Sequence, residues 1–323
     1  MSAVSPAKLV FKDREEFRSF HLGEERSFLV IVLLYAVAFA ALGLVWAAAR
    51  MPWAAAIPSY VGAFIVVGWA QYSLGNGLHE AVHHNLWNIR SDRLAEFLTA
   101  YPIGLTITYR DTHLGHHKHL GTQLDPEFSA YTSFPRTKGA LILRFLWFVS
   151  GIPAVRQFLD QQRTVASSSQ RRSYLDLACF VGLQLGLIAL FCWVFGNPIY
   201  YMIFWVLPIA TVGKLLSTTR VLCEHGSPTR DWVVRSIDGS RWQTWIMGAF
   251  DFNYHGEHHL WPSVPYAQLE RLRRLHSSYL EKHPEYQPLE GRFESFSGGY
   301  VALLVHWFRI LPWRKRVQVQ PAH

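Results

Sequence analysis

Residues 28–49 read FLVIVLLYAVAFAALGLVWAAA, a run without a single charged side chain. The hydrocarbon core of a bilayer needs about 20 residues of apolar helix, so this run predicts a membrane span from Phe28 to Ala49. Arg50-Met51-Pro52-Trp53 makes a short turn, and Trp53 to Leu74 can return across the membrane. Outward from that hairpin the pattern recurs once. Leu175 to Phe195 is a third span, Gly196-Asn197-Pro198 a second tight turn, and Ile199 to Leu216 a fourth span. Lys214 lies near the end of that span, where its ammonium can snorkel. The stretches around 94–108 and 140–153 are less apolar. Arg144 and Pro153 weaken the second as a span, and it reads as interfacial or re-entrant.

The whole composition agrees with a mixed architecture. Half of the 323 residues are hydrophobic and 15% aromatic, with a mean hydropathy of +0.08. That is too apolar for a typical soluble enzyme and too polar for a chain that is all span. Thirteen Trp and fourteen Tyr suit the membrane interface. The formal charge of +8 is explained by basic cytoplasmic loops more simply than by nucleic acid, which is not expected as a partner. Cys179, Cys192 and Cys223 form no CxxC and no even framework, so neither a disulfide scaffold nor a Cys-type zinc site is expected. The first apolar run is too long for a cleaved signal and reads as a retained anchor. Three regions follow: a polar N-terminal segment at 1–27, a membrane domain at 28–290, and an interfacial helix and tail at 291–323.

Two hairpins with very short outer turns put residues 75–174 and everything after 217 on one side. The basic loops make that side cytoplasmic, with both termini there. Tyr266 to Tyr279 has helical periodicity, with Leu269, Leu272 and Leu275 opposite an Arg-rich face. Tyr300 to Ile310 can lie on the membrane surface. The expected fold is an all-α integral membrane protein: four transmembrane helices in two hairpins, carrying a cytoplasmic helical cap.

That cap holds three histidine clusters: His79-Glu-Ala-Val-His83, His113-Leu-Gly-His116-His117 and His255-Gly-Glu-His258-His259. A further histidine, His225, follows the fourth span. On a helix, positions i, i+3 and i+4 share a face, so each cluster aims two or three imidazoles in one direction. Imidazole is a ligand for iron, zinc and copper. One ion cannot use nine such nitrogens, but two ions sharing a site can. The first cluster also reads as HExxH, the zinc protease motif with Glu80 as general base. That reading needs one more ligand and leaves two HxxHH clusters and His225 unused. A pH-sensitive surface patch would not repeat one five-residue spacing.

HxxxH, HxxHH and HxxHH in this order, separated by membrane hairpins, resemble the membrane-bound fatty acid desaturase superfamily. It also includes hydroxylases and carotenoid ketolases, and the alkane hydroxylases have a similar ligand pattern. The resemblance covers roughly residues 28–290. Local matches are Asn253-Tyr254-His255-Gly256-Glu257-His258-His259-Leu260-Trp261-Pro262, and Gly121-Thr122-Gln123-Leu124-Asp125-Pro126 after the second box. It implies two irons at the cytoplasmic end of a four-helix bundle. The implied ligands are His79, His83, His113, His116, His117, His255, His258 and His259, and His225 matches the extra histidine between the second and third boxes. The first box is one residue shorter than in the acyl-CoA type, and the third begins with His255 where front-end desaturases often have Gln. No fused cytochrome b5 is present, so electrons are expected from a separate donor such as ferredoxin or cytochrome b5 with its reductase.

Metal-bound imidazole usually donates its other N–H to a carboxylate or carbonyl. Glu80, Asp111, Asp125, Glu224 and Glu257 are the candidates for that support, with surface ion pairs to residues such as Arg110 and Arg220 as the alternative. His21, His84, His119, His276, His283, His306 and His323 are expected to be non-ligands. The implied activity is O2-dependent di-iron oxidation of a lipid substrate, first of all acyl desaturation. Hydroxylation or ketolation of a fatty acid, alkane or carotenoid is the alternative. A membrane zinc protease and a non-enzymatic metal-binding protein rank below both.

Overall fold

A computed structural model of the chain describes residues 10–20, 25–86, 92–105, 108–157, 159, 174–247 and 250–314. His21, His323, residues 1–9 and 21–24 of the polar N-terminal segment and residues 315–323 of the tail lie outside the described residues.

The helices, in chain order, are α1 (Arg14–Ser19), α2 (Glu25–Ala48), α3 (Trp53–Val82), α4 (Asp92–Thr99), α5 (Thr108–His119), α6 (Phe128–Thr132), α7 (Lys138–Val149), α8 (Tyr174–Phe195), α9 (Ile199–His225), α10 (Arg241–Met247), α11 (His255–Leu260), α12 (Leu269–Lys282) and α13 (Gly299–Ile310). Four of them, α2, α3, α8 and α9, are long and apolar enough to cross a membrane. The fold is mostly helical, with a buried histidine cluster to which the C-terminal ends of α3 and α9 contribute His79 and His225.

Two of the spans outrun the sequence expectation. Gly75-Asn76-Gly77 after Leu74 does not end the helix: α3 continues to Val82 and carries His79 on the spanning helix itself. A Cβ on Gly77 would stand 3.4 Å from both Ile31 and Thr99. Asn76 Oδ1 accepts from Arg220 Nη1 at 2.6 Å. Likewise α9 runs past Leu216 to His225, through two π-helical turns at Met202–Val206 and Ile209–Gly213. Such turns leave the ordinary i→i−4 ladder incomplete. Gln71 Nε2 donates to the carbonyl of Trp205 at 2.9 Å, from within α3. Between these helices Gly68 is required: a Cβ there would meet Val212 Cβ at 2.7 Å and the Pro208 carbonyl at 2.8 Å. Small residues permit this close approach where the lipid supplies no hydrophobic drive.

The cap rests on the inner ends of α3 and α9. Its core joins Phe250, Phe252, Trp261, Val264, Leu269 and Leu272 to Leu74 and Ile31 of the spans. The N-terminal segment belongs to the same core, with Phe11 edge-on to Trp261 at 6.0 Å and Arg271 over Phe20 at 4.1 Å. One feature was not expected: a two-stranded parallel ribbon, β1 (Val234–Asp238) with β2 (Phe293–Ser297), Val234 paired to Phe293 and Asp238 to Ser297. It ties the chain after residue 290 to the cap.

α13 buries Tyr300, Leu303 and Trp307 on a second core with Phe134, Leu141 and Leu222, and exposes Val301, Val305 and Phe308. α7 exposes Leu143, Leu146 and Trp147. Lys214 donates to Gln157 Oε1 at 2.5 Å.

Candidate metal centre

Five imidazoles, His79, His83, His113, His117 and His258, bring one nitrogen each within 4.8 Å of one another. Four more, His116, His225, His255 and His259, do the same beside them. The helix geometry decides who goes where. Partners four apart, which lie one above the other on a helix, share a group: 79 with 83, 113 with 117, 255 with 259. The remaining box histidine crosses over, so His116 joins the four-histidine group and His258 the five-histidine group. Each HxxHH box therefore serves both groups, whereas HxxxH serves one.

The ring nitrogens converge. Within the first group, Nε2 of His113 lies 2.8 Å from that of His83 and 3.1 Å from that of His117, and His117 lies 3.1 Å from His258. In the second, His255 Nε2 is 2.8 Å from His225 and 3.0 Å from His259. Two nitrogens bound at right angles to one cation at about 2.1 Å sit roughly 3.0 Å apart. Neutral imidazoles can share protons only in pairs, so facing rows of this kind suit lone pairs turned to a common cation. His79 makes the point separately: it is buried, and its Nε2 meets no hydrogen-bond partner among the described residues.

The protonation state agrees. Burial, followed by the charges of Arg110 and His84, lowers His83 to about 4. Burial, followed by His83 and His116, lowers His117 to about 2. His113, His255, His258 and His259 are held well below the ordinary histidine range, again chiefly by burial. These six are neutral at physiological pH, the form that binds a metal; His116 differs, because burial acts to lower it but its hydrogen bond to Asp125 raises it above the ordinary value.

Behind the rings stand the acceptors. His116 Nδ1 lies 2.9 and 3.0 Å from the two oxygens of Asp125. His225 Nδ1 donates to the carbonyl of Val233 at 3.2 Å. Glu224 has Oε2 3.6 Å from His255 Nδ1 and 3.2 Å from Arg220, and its other oxygen accepts from the Tyr300 hydroxyl at 3.2 Å. Glu80 accepts from the backbone N–H of Tyr266 at 3.1 Å and faces His79 Nδ1 at 3.7 Å.

Two of the sequence candidates are placed elsewhere. Asp111 is exposed on α5, while His113 and His116 are on its buried side. Glu257 is buried but turns from the box histidines, because neighbouring positions on a helix diverge by about 100°. Its carboxylate takes the Ser236 hydroxyl, Arg273 Nη1 at 3.2 Å and His276 Nδ1 at 3.0 Å. His276, read from sequence only as a non-ligand, thus anchors the helix that carries the third box. Tyr131, Ser236, Arg273, His276 and Tyr300 had no spacing signal, since they reach the site from separate elements. His84 is exposed with φ of 58°, and His119 is half-buried.

An apolar cavity of about 590 Å3, lined by residues such as Leu42, Trp46, Phe191 and Trp193, lies at the outer ends of α2 and α8. It is at the opposite end of the molecule from the histidines. Near them the walls are aromatic: Phe252 stands perpendicular to His79 at 4.4 Å, and Tyr109 stacks on His113 at 5.6 Å.

Comparison with known proteins agrees with this geometry. A sequence profile of the fatty acid desaturase family matches residues 55–290, from the second span through the third box. Sphingolipid delta(4)-desaturase DES1 of Drosophila melanogaster is 26% identical over 237 residues, 70% of this chain and 68% of the relative. Dihydrorhizobitoxine desaturase of Bradyrhizobium elkanii is 26% identical over 243 residues, 67% of each chain. A putative sphingolipid delta(4)-desaturase/C4-monooxygenase of Caenorhabditis elegans is 22% identical over 232 residues, 68% of this chain and 59% of the relative. With its four candidate spans and its paired histidine groups, the chain is an integral membrane enzyme of the fatty acid desaturase family.

Proposed function

We propose that the five-histidine and four-histidine groups each hold one iron, and that the enzyme uses O2 to introduce a double bond into a lipid acyl chain. The observation that carries this reading is the division of nine converging imidazoles into two adjacent groups. Iron, when bound there, supplies with O2 an oxidant for unactivated C–H bonds, which redox-inert zinc does not.

The chain's own residues do the rest. The nine histidines fix the two ions side by side. Asp125, the Val233 carbonyl, Glu224 and Glu80 hold or face the Nδ1 atoms, so that Nε2 points inward. Phe252, packed edge-on against the buried His79, keeps water from that ring of the five-histidine group. In the overall reaction the alkyl chain loses two hydrogen atoms, that is, two protons and two electrons. A separate donor supplies two further electrons, two protons are taken up, and O2 leaves as two waters.

The substrate enters from the bilayer, and the metal centre with both termini faces the cytoplasm. The relatives' names support carbon–carbon desaturation, with sphingolipid the substrate class named for two of them. The second name in the Caenorhabditis elegans relative also supports hydroxylation as the competing outcome.

Expression in a host with a compatible reductase, followed by mass spectrometry of total lipid, tests the reading. A new lipid two hydrogens lighter than its precursor is expected. A product one oxygen heavier would move the assignment to hydroxylation, and altered carotenoids with unchanged acyl chains would move the substrate. Metal analysis finding one zinc and no iron would overturn it.

A further inference from the structure

Tyr131 is fully buried on α6, its ring 5.2 Å from that of His225 and 6.1 Å from that of His116. Its hydroxyl has two partners. The backbone N–H of Gly121 donates to it at 3.1 Å, which leaves its own proton for Asp125 Oδ2 at 2.5 Å. Gly121 is fixed in this role. Its φ is 76°, and a Cβ there would lie 2.2 Å from the Trp232 ring. Asp125 therefore accepts from Tyr131, from the N–H of Glu127 at 2.8 Å and from His116 Nδ1.

The direction of each bond matters. A carboxylate against Nδ1–H makes imidazole a stronger donor at Nε2. A hydroxyl proton on that carboxylate draws its charge away and moderates the effect. His116 belongs to the four-histidine group alone. We propose that Tyr131 is a positioning residue that sets the electron density of the four-histidine group, acting through Asp125 and His116. This rests on the two-iron reading above. The two ions are then tuned separately, since among the described residues Asp125 accepts from His116 and from no member of the five-histidine group.

The test is a redox titration of the full-length protein, loaded with 57Fe and followed by Mössbauer spectroscopy. In wild type two iron signals are expected. Tyr131→Phe should keep both irons and lower the potential of one, because Asp125 then places more charge on His116. Asp125→Asn should raise the potential of that same iron. In the double variant Tyr131→Phe should add nothing to Asp125→Asn, which is the signature of action through the carboxylate. A residue that merely filled space would not give opposite signs. Should Tyr131→Phe fail to load iron, 3-fluorotyrosine at 131 keeps the ring, strengthens the donor and should raise the potential. An unchanged potential in either tyrosine variant, an equal shift of both irons, or a shift in the same sense as Asp125→Asn would overturn the inference alone. Wild-type protein binding fewer than two irons would overturn the two-iron reading and the inference together.

Discussion

At the scale of single residues, the two HxxHH boxes differ from the HxxxH box in what each position does. Loss of His117 leaves its group with four nitrogens, and loss of His259 leaves the other with three. His117→Ala and His259→Ala should both lower activity by more than the roughly 100-fold that loss of a supporting residue causes. Iron content should fall further in His259→Ala, as metal analysis of the purified variants would show. Glu80 stands on the Nδ1 side of His79, held by Tyr266, rather than facing into the group. Glu80→Gln should therefore weaken metal binding or turnover by about 10–100-fold, and no peptide hydrolysis should be found in wild type. Acid should act on the metal-free protein. His83 is lowered from its ordinary 6.5 to about 4, so the unfolded chain binds its proton first. The stability from this burial is complete above pH 6.5 and is lost as pH falls toward about 4. Thermal midpoints of metal-free protein at stepped pH should fall across that window, and less so with iron bound.

Among the elements, the ribbon β1–β2 positions the third box. Gly256 of α11 lies against it: a Cβ there would meet Phe293 at 2.4 Å and Ser236 Oγ at 2.7 Å. Gly256→Ala should cost about 1–3 kcal/mol by overpacking and lower iron content, and Gly256→Ala with Phe293→Leu should recover part of the loss in thermal midpoint. This ribbon was hidden from sequence for a physical reason. Val234–Asp238 contains Arg235, a residue that reads as solvated, yet it is buried by an ion pair to Glu294 and by the Trp307 ring at 5.5 Å. The spans were legible because the bilayer demands uncharged length. Where the second span ends was not, because Gly75 and Gly77 weaken a helix in water yet lie within the continuous helix to Val82. The histidine boxes were legible because spacing alone carries them. The direction of Glu257 was not, since it depends on Ser236, Arg273 and His276 arriving from other elements.

For the molecule as a whole, the proposed topology puts His113 and the C-terminal tail on the cytoplasmic side and the turns at 50–53 and 196–198 outside. A reporter fused after residue 323 should be cytoplasmic. The excess of basic residues, +8 overall, should speed encounter with an acidic electron carrier, so the reduction rate should fall as salt rises.

The nine converging nitrogens come from four stretches of chain, 79–83, 113–117, 225 and 255–259. A metal pair held there is a removable cross-link. Like a covalent staple it closes long loops, and the entropy of closing them rises only slowly with their length. The membrane hairpins have no share in that staple beyond their inner ends. Chelation should therefore release the cap as a unit while α2 and α8 stay in the bilayer. Limited proteolysis would then open 108–157 and 226–297 first, and re-addition of iron would close them again.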